Sequence, residues 1–233
     1  MNEIKEVNDY NRAGLKKSNK NNGILRYPSE ECIAFLARNF ADREANQTRN
    51  ALDIGCGNGR HLGLLSDYGF SVYGIDYNED AVARCKILFS DDQNVKQVYE
   101  KPFQECEELQ KLSYHAVIVY GIFMYTSEAE ALELLTQIRD SLADDGLFFA
   151  DFRTKEDVLF GKGEFVGENT YKLDERAGVY SGLVYRFHNM EEIEAYMAKA
   201  GVTIVSRGRK DLWKNELADR HSWWQVTGKK TLG

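Results

Sequence analysis

The sequence predicts an α/β protein built on a doubly wound parallel sheet. Three observations support this fold class. Short apolar runs alternate with stretches of helical periodicity, residues 116–120 form a continuous apolar run typical of buried parallel strands, and a glycine-rich turn joins the first strand to its helix. With 233 residues, 43% of them apolar, we expect one domain over residues 1–233.

The first predicted helix follows a polar segment that covers residues 1–27. Pro28 suits a first helical turn, and Ile33, Leu36, Ala37 and Phe40 then recur at helical spacing. We therefore expect these four apolar side chains to form the buried face of this helix.

The alternation of strands and helices begins after a polar linker at residues 42–50. The predicted strands are residues 51–54, 71–75, 95–99, 116–120 and 147–152. One helix is predicted at residues 60–68 and another at residues 128–142, with Ala131, Leu134, Leu135 and Ile138 facing inward. Between them Asn78 caps a helix that turns inward Ala81, Val82, Cys85 and Leu88.

The C-terminal third has a different pattern. Residues 154–187 contain five glycines and no clear period. Asn189 followed by Glu192 predicts a capping box for a helix that runs through Ala200. Residues 202–205 and 223–227 are then expected to be two strands with a polar connection between them.

The most informative segment is ALDIGCGNGRHLGLL, which begins at Ala51. Asp53 ends the apolar strand, and Gly55, Gly57 and Gly59 follow at alternate positions before the helix begins. Glycine permits a left-handed backbone and close approach of a ligand, and the helix start offers unpaired N–H groups. The segment therefore predicts a loop that binds a polar or anionic group.

The spacing of these glycines differs from the G-x-G-x-x-G of dinucleotide sites. The string DIGCGNGR resembles motif I of the class I S-adenosylmethionine-dependent methyltransferases, and the order of predicted strands and helices is similar to theirs over residues 28–230. Bacterial methyltransferases related to ubiquinone biosynthesis are among the groups it resembles.

This resemblance implies a Rossmann-like sheet of seven strands in the order 3-2-1-4-5-7-6, with the last strand antiparallel. It also implies a substrate lid inserted between strands 5 and 6. The expected parts are an N-terminal cap segment (1–27), the half that binds the cofactor (28–152), the lid (153–188), and a helix with a β-hairpin (189–233). The implied cofactor is S-adenosylmethionine, with S-adenosylhomocysteine as product.

The resemblance also assigns residues to the cofactor. Asp76 ends the second strand and would accept hydrogen bonds from the ribose hydroxyls. Glu100, Phe103 and Glu105 are alternatives for the adenine end, with Phe103 preferred as an apolar wall. The full predicted set is Tyr27, Asp53, Gly55, Cys56, Gly57, Gly59, Arg60, Asp76, Tyr77, Phe103, Tyr120 and Gly121.

Methyl transfer needs mainly alignment of the acceptor and exclusion of water. A general base is required only for some acceptors, and His188 and Tyr125 are the candidate catalytic residues. His61 is expected on the surface of its helix, and Arg26 or Arg60 could neutralise the cofactor carboxylate. Methylases of DNA bases and of amide nitrogen carry an N/D-P-P-Y/F motif after the fourth strand; it is absent here, which argues against methylation of DNA bases or glutamine amides.

Composition restricts the partners. The net charge of −7 disfavours nucleic acid, and the N-terminal twenty residues show no signal or membrane-spanning run. The four cysteines form no C-x-x-C pair, so no metal site is expected and a reducing cytoplasm fits. The expected acceptor is a small molecule that receives the methyl group on an O or N atom. The alternatives are a non-catalytic module that binds a nucleoside and an NAD-dependent reductase; no oligomeric state is predicted.

Overall fold

The computed structural model describes residues 26–231. Its central sheet has seven strands in the order β3-β2-β1-β4-β5-β10-β9. These strands are β1 (Asn50–Ile54), β2 (Ser71–Asp76), β3 (Val95–Glu100), β4 (Tyr114–Val119), β5 (Leu142–Arg153), β9 (Val202–Lys214) and β10 (Asp219–Lys230). The first five are parallel and β10 is antiparallel to both of its neighbours, which confirms the predicted fold class and strand order.

Seven α-helices lie in the part of the chain that the structure describes. They are α1 (Glu30–Asn39), α2 (Arg43–Asn46), α3 (Arg60–Asp67), α4 (Glu79–Leu88), α5 (Glu107–Gln110), α6 (Glu128–Ser141) and α7 (Met190–Lys199). The predicted caps hold, because the side chain of Asn78 accepts a hydrogen bond at the start of α4 and Asn189 with Glu192 forms a capping box on α7. No helix among these residues is long and apolar enough to span a membrane.

The helices cover both faces of the sheet, as a parallel sheet requires. One core cluster joins the sheet to α6 and α7, where the four predicted inward residues of α6 are all buried. A second cluster joins the opposite face to α1, α3 and α4. This three-layer packing leaves the carboxyl ends of β1, β2 and β4 open together at one edge.

The predicted inner faces of two helices are partly wrong. Cys32, Phe35 and Leu36 are the buried residues of α1, whereas Ile33 is 40% exposed. Leu36 and Phe40 are buried as predicted, whereas Ala37 is exposed and the buried face turns towards Cys32 and Phe35. Leu88 of α4 is likewise exposed, because it occupies the last turn of the helix.

A three-stranded antiparallel sheet forms within the segment that showed no period. Its strands are β6 (Gly163–Gly167), β7 (Thr170–Leu173) and β8 (Val184–Arg186), in that order. Leu159, Leu173, Leu183, Tyr185 and Phe187 give this insert its own small core, which packs against Met124. The predicted insertion between strands 5 and 6 is therefore an ordered layer.

The terminal hairpin is longer than predicted. Strands β9 and β10 pair from Val202 with Lys230 to Lys214 with Asp219, so most of the predicted polar connection is strand. The turn occupies residues 215–218, where Asn215, Glu216 and Leu217 have positive φ. Strand β9 lies at an exposed edge of the sheet and therefore carries many polar side chains. Because of these side chains, its sequence lacks the apolar pattern by which strands were predicted.

Candidate active site

The glycine loop lies at the carboxyl end of β1, where it is anchored to β2. The backbone N–H groups of Gly55 and Cys56 both donate hydrogen bonds to the carbonyl oxygen of Ile75, at 2.8 and 3.0 Å. Gly55, Gly57 and Gly59 have φ values of 74°, 53° and 85°. A left-handed backbone at three alternate positions explains why the turn contains glycine at each of them.

Asp76 connects this loop to the next strand. Its Oδ2 accepts a hydrogen bond from the Gly57 N–H at 2.9 Å, and its Oδ1 accepts one from the Asn78 N–H at 2.8 Å. Burial raises the pKa of Asp76, and these two N–H groups act in the opposite direction. The backbone N–H of Tyr77 also lowers this pKa. Because a carboxylate has about four acceptor sites, Asp76 retains acceptor capacity for a ligand hydroxyl.

A cleft of about 600 Å³ opens above the loop. A volume of this size suits a small-molecule ligand. Eight of the residues predicted to bind cofactor or substrate line it: Gly55, Gly57, Asp76, Tyr77, Phe103, Tyr120, Gly121 and Tyr125. The loop after β3 contributes both Phe103, which is 2% exposed, and its alternative Glu105.

Five predicted cofactor residues do not line the cleft: Tyr27, Cys56, Gly59, Asp53 and Arg60. Cys56 is buried within the loop. Gly59 is the N-cap of α3 and packs against α4, since a β-carbon there would come within 2.9 Å of Cys85 Sγ. Tyr27 is 85% exposed. In this structure these positions shape the loop or lie away from the cleft.

Asp53 and Arg60 lie outside the lining of the cleft. Asp53 is 1% exposed, and its Oδ2 has no hydrogen-bond partner among the described residues. Burial raises the pKa of Asp53 to about 7, while Arg60 lowers it and Asp76 raises it further. The Arg60 guanidinium stacks over the Tyr120 ring at 5.2 Å from its centre.

His61 is buried, which corrects its predicted place on the helix surface. It is 4% exposed, its Nε2 lies 3.3 Å from both the N and Oγ of Ser29, and its Nδ1 is 3.9 Å from Asp53 Oδ1. Burial lowers the pKa of His61 to about 3, so its ring is neutral near pH 7. The imidazole joins α3 to the start of α1.

Asp151 is a site residue that the sequence reasoning did not identify. It lies near the carboxyl end of β5, is 1% exposed, and accepts a hydrogen bond from the Gly121 N–H at 2.6 Å. Burial raises the pKa of Asp151 to about 6. The signal was an acid ending an apolar strand, the same pattern that identified Asp53 and Asp76. Asp151 fixes the loop that follows β4.

The two candidate catalytic side chains have different environments. The Tyr125 hydroxyl lies 3.2 Å from that of Tyr185, and burial raises the pKa of Tyr125 to about 12. His188 is fully buried between the rings of Phe152 and Tyr196, outside the cleft lining. Neither ring nitrogen of His188 has a hydrogen-bond partner in the described chain, and burial lowers its pKa to about 3. Only Tyr125 can touch a ligand in the cleft.

The cleft fits S-adenosylmethionine. Gly57 and Gly121 would place an added β-carbon in open space, so the main chain there can approach a ligand closely. Asp76 has free acceptor capacity for ribose hydroxyls, and Asp53 has an orphaned oxygen near the loop. No group of three or more metal-ligating side chains occurs among residues 26–231. Together these features define an α/β protein with a nucleoside-binding cleft at the carboxyl edge of its sheet.

Comparison with known proteins identifies the family. Residues 24–207 match the model of a family described as a methyltransferase domain. The chain belongs to this family, and its predicted membership of the class I S-adenosylmethionine-dependent methyltransferases is confirmed.

The chain is also similar to individual methyltransferases. It is 22% identical over 144 residues to a methyltransferase of Geobacillus sp. (strain WCH70), a match that covers 61% of this chain and 58% of that protein. The solved structure of magnesium protoporphyrin IX methyltransferase from Synechocystis PCC 6803, with S-adenosylhomocysteine bound, has a TM-score of 0.65 at 16% identity and covers 98% and 99% of the two chains.

A third similar protein is an N-methyltransferase. The Burkholderia thailandensis 1,6-didemethyltoxoflavin-N1-methyltransferase, solved with that compound and S-adenosylhomocysteine, has a TM-score of 0.62 at 18% identity. The match covers 87% of this chain and 78% of that one. At these identities the two solved structures establish the shared fold.

Proposed function

We propose that this protein transfers a methyl group from S-adenosylmethionine to an O or N atom of a small-molecule acceptor. The observation that carries the proposal is the link between Asp76 Oδ2 and the Gly57 N–H, which brings a ribose-binding acid and the glycine loop together at one cleft. The similar solved proteins act on a toxoflavin precursor and on magnesium protoporphyrin, which supports a small-molecule acceptor.

The proposed cofactor contacts follow from the lining. Gly55 and Gly57 offer main chain to the amino-acid end, Asp76 accepts from the ribose hydroxyls, and Phe103 provides an apolar wall for the adenine. Asp53 and Arg60 lie outside the lining, where Arg60, next to Tyr120, would supply positive charge for the cofactor carboxylate. When bound, S-adenosylmethionine supplies a methyl group on a sulfonium, which is already a strong electrophile. The protein has mainly to align the acceptor and keep water out.

Tyr125 acts in this proposal as a hydrogen-bond donor. Because its pKa is raised to about 12, its hydroxyl is protonated at neutral pH and cannot serve as a general base there. Its hydroxyl can donate to a lone pair of the acceptor while Tyr185 holds it in place. We assign no proton transfer to His188, because its ring is buried outside the cleft.

We also propose that the protein works in the cytoplasm as a single methyltransferase domain without a nucleic-acid partner. All four cysteines are buried free thiols, which suits a reducing compartment. The net charge of −7 disfavours binding to phosphate backbones.

Calorimetry and label transfer test the proposed function. We expect S-adenosylmethionine and S-adenosylhomocysteine to bind and NAD not to bind. Asp76→Ala should weaken S-adenosylmethionine binding by about 1–3 kcal/mol, the cost of losing charge-assisted hydrogen bonds. Asp80→Ala is the matched control, since Asp80 is exposed in the first turn of α4 and does not line the cleft; it should leave the affinity unchanged.

Radiolabelled S-adenosylmethionine incubated with a metabolite extract should then transfer its methyl group to a small molecule. Tight binding of NAD without binding of S-adenosylmethionine would overturn the proposal. Cofactor binding without any label transfer would instead indicate the non-catalytic nucleoside-binding module.

A further inference from the structure

A second cavity of about 620 Å³ lies beside the cofactor cleft. The start of α6 forms one side of it, and the insert strands β6, β7 and β8 form the other. Tyr125 and Thr126 line both this cavity and the cofactor cleft. Two volumes of ligand size therefore meet at one short segment of chain, and a molecule in the second cavity would lie next to the first.

The outer rim of this cavity is held in one conformation. Residues Glu168 and Asn169 form the turn between β6 and β7, with φ values of 46° and 58°. The side-chain amide of Asn169 donates a hydrogen bond to Glu192 at 2.7 Å. The backbone carbonyl oxygen of Asn169 accepts one from the Phe187 N–H at 3.0 Å. Because α7 and the strand end both fix the turn, the cavity wall is preformed, which lowers the entropy cost of binding.

The charged side chains around the cavity are paired with one another. Arg186 is 4% exposed and pairs with Glu168 at 2.9 Å and with Glu128 at 3.6 Å, and its Nη2 is 2.5 Å from the Tyr196 hydroxyl. Lys199 pairs with Glu128 at 3.2 Å from the other side. Lys199 does not line the cavity, but every charged side chain that does, Glu128, Glu168 and Arg186, already has an ion-pair partner. Within the described residues, the lining therefore offers no unpaired charge to a charged ligand.

The remaining lining is largely apolar. Met124 and Val184 are nearly buried at 5% and 4% exposure, Leu132 lines the α6 side, and Val166 is 46% exposed at the β6 side. Burying apolar ligand surface against such side chains contributes about 25 cal/mol per Å². Two hydroxyl groups lie at the boundary with the cofactor cleft, those of Tyr125 and Thr126. The Thr126 hydroxyl donates to the carbonyl oxygen of Phe123 at 2.9 Å, and the Tyr125 hydroxyl lies 3.2 Å from that of Tyr185.

We propose that this second cavity binds the methyl acceptor, and that the acceptor is an uncharged molecule with an apolar body and one nitrogen or oxygen lone pair directed at Tyr125. The apolar lining would hold the body, and the Tyr125 hydroxyl would orient the lone pair at the boundary with the cofactor cleft. This inference rests on the proposed function, since it names the substrate class of the same site.

Ligand-observed NMR with the full chain saturated with S-adenosylhomocysteine tests the inference. The probes are phenol and aniline, with benzoate and benzylammonium as charged counterparts. We expect the two uncharged probes to bind more tightly than the charged ones. Val166→Trp should reduce their binding about tenfold or more, because the larger side chain fills the cavity.

Phe165→Trp is the matched control. Phe165 is the neighbour of Val166 on the same strand, is 61% exposed and does not line the cavity, so probe binding should stay within about twofold. Both positions are exposed enough that neither substitution removes a core contact. Calorimetry on the same samples should show S-adenosylhomocysteine binding unchanged in both variants.

The outcomes separate the two proposals. Equal binding of the probes by Val166→Trp and the unaltered chain, stronger binding of a charged probe, or no probe binding would overturn the inference about the cavity. If the unaltered chain fails to bind S-adenosylhomocysteine, the proposed function itself is overturned.

Discussion

Gly57 is a position in the cleft lining at which the main chain is open to close approach by the proposed ligand. Its φ is 53°, and a β-carbon there would meet no protein atom within 4 Å. Gly57→Ala should therefore add a methyl group to the cleft lining and weaken S-adenosylmethionine binding about tenfold or more. The strain of the left-handed backbone should also lower the free energy of unfolding by about 1–2 kcal/mol.

Gly161→Ala separates these two effects. Gly161 has a φ of 78° and equally open surroundings, but it does not line the cleft. It should lose similar stability in urea titrations and keep full affinity in calorimetry. Equal affinity of both variants for S-adenosylmethionine would show that Gly57 is not at the binding surface.

Asp53 makes the stability of the protein depend on pH. Its pKa is raised to about 7 in the folded chain, against an ordinary value of 3.8, so the folded state binds more protons than the unfolded state between these values. The stability it contributes is present below pH 4 and is lost as the pH rises towards 7. Asp53→Asn should therefore stabilise the ligand-free protein more at pH 8 than at pH 5, by roughly 3 kcal/mol.

Urea unfolding at the two pH values measures this difference. Asp67→Asn is the control, because Asp67 is exposed at the end of α3 and its substitution should change stability equally at both pH values. A pH-independent effect of Asp53→Asn would contradict the raised pKa of Asp53.

Individual site residues were predictable where one local pattern required them. The glycine spacing and the acids ending β1 and β2 pointed to Gly55, Gly57 and Asp76, and all three are placed at one loop. Gly59 was predicted as a cofactor contact because spacing cannot distinguish a glycine that faces a ligand from one that packs on α4. The contacts of His61 with Ser29 and of Asp151 with Gly121 join chain segments about thirty residues apart, so a local pattern can mark such a residue but does not encode its partner.

The Arg153–Asp157 ion pair joins β5, the insert and β10. Its atoms lie 2.7 Å apart, and Asp157 also accepts hydrogen bonds from the N–H groups of Ser222 and Leu159. The Arg153 guanidinium stacks 4.8 Å from the centre of the Trp223 ring. Asp157→Ala should lower the free energy of unfolding by about 3–5 kcal/mol, because it leaves a buried charge unpaired.

An exposed pair of equal length provides the comparison. Asp174 and Arg176 are also 2.7 Å apart, but their side chains are 36% and 60% exposed. Asp174→Ala should cost less than about 1 kcal/mol in the same urea titration. If the two substitutions cost the same, burial is not what gives the Arg153–Asp157 pair its importance.

Strands and helices were predictable where burial on one face imposed a period. The pattern of α6 placed all four inward residues correctly, because this helix is amphipathic along its whole length. The pattern of α1 placed Leu36 and Phe40 correctly but also placed Ile33 and Ala37 inward, since these two satisfy the same spacing as the buried residues. Most of strand β9 was not predicted, because its exposed edge position tolerates the polar side chains of residues 206–211.

The arrangement of the chain was predictable as far as the resemblance extended. The seven-strand order follows it throughout the central sheet, including the antiparallel β10. The position of the insert followed from the resemblance, but its three strands did not follow from the sequence. Residues 154–187 build a core of their own from aromatic and aliphatic side chains whose contacts depend on three short strands and their turns. Short strands separated by glycine turns leave no period long enough to recognise.

In the described part of the chain, strands β6, β7 and β8 pair only among themselves, which bears on which parts of the protein can be altered by substitution. Within residues 26–231 these strands hydrogen-bond in ladders only to one another, while the glycine loop and Asp76 belong to the central sheet. The insert and the cofactor cleft therefore share no strand ladder and meet through side chains: Tyr125 and Thr126 line both cavities, and the insert core packs against Met124. An engineer seeking a new acceptor would diversify the exposed positions of β6, which are Glu164, Phe165 and Val166, and leave Tyr125 and Thr126 fixed.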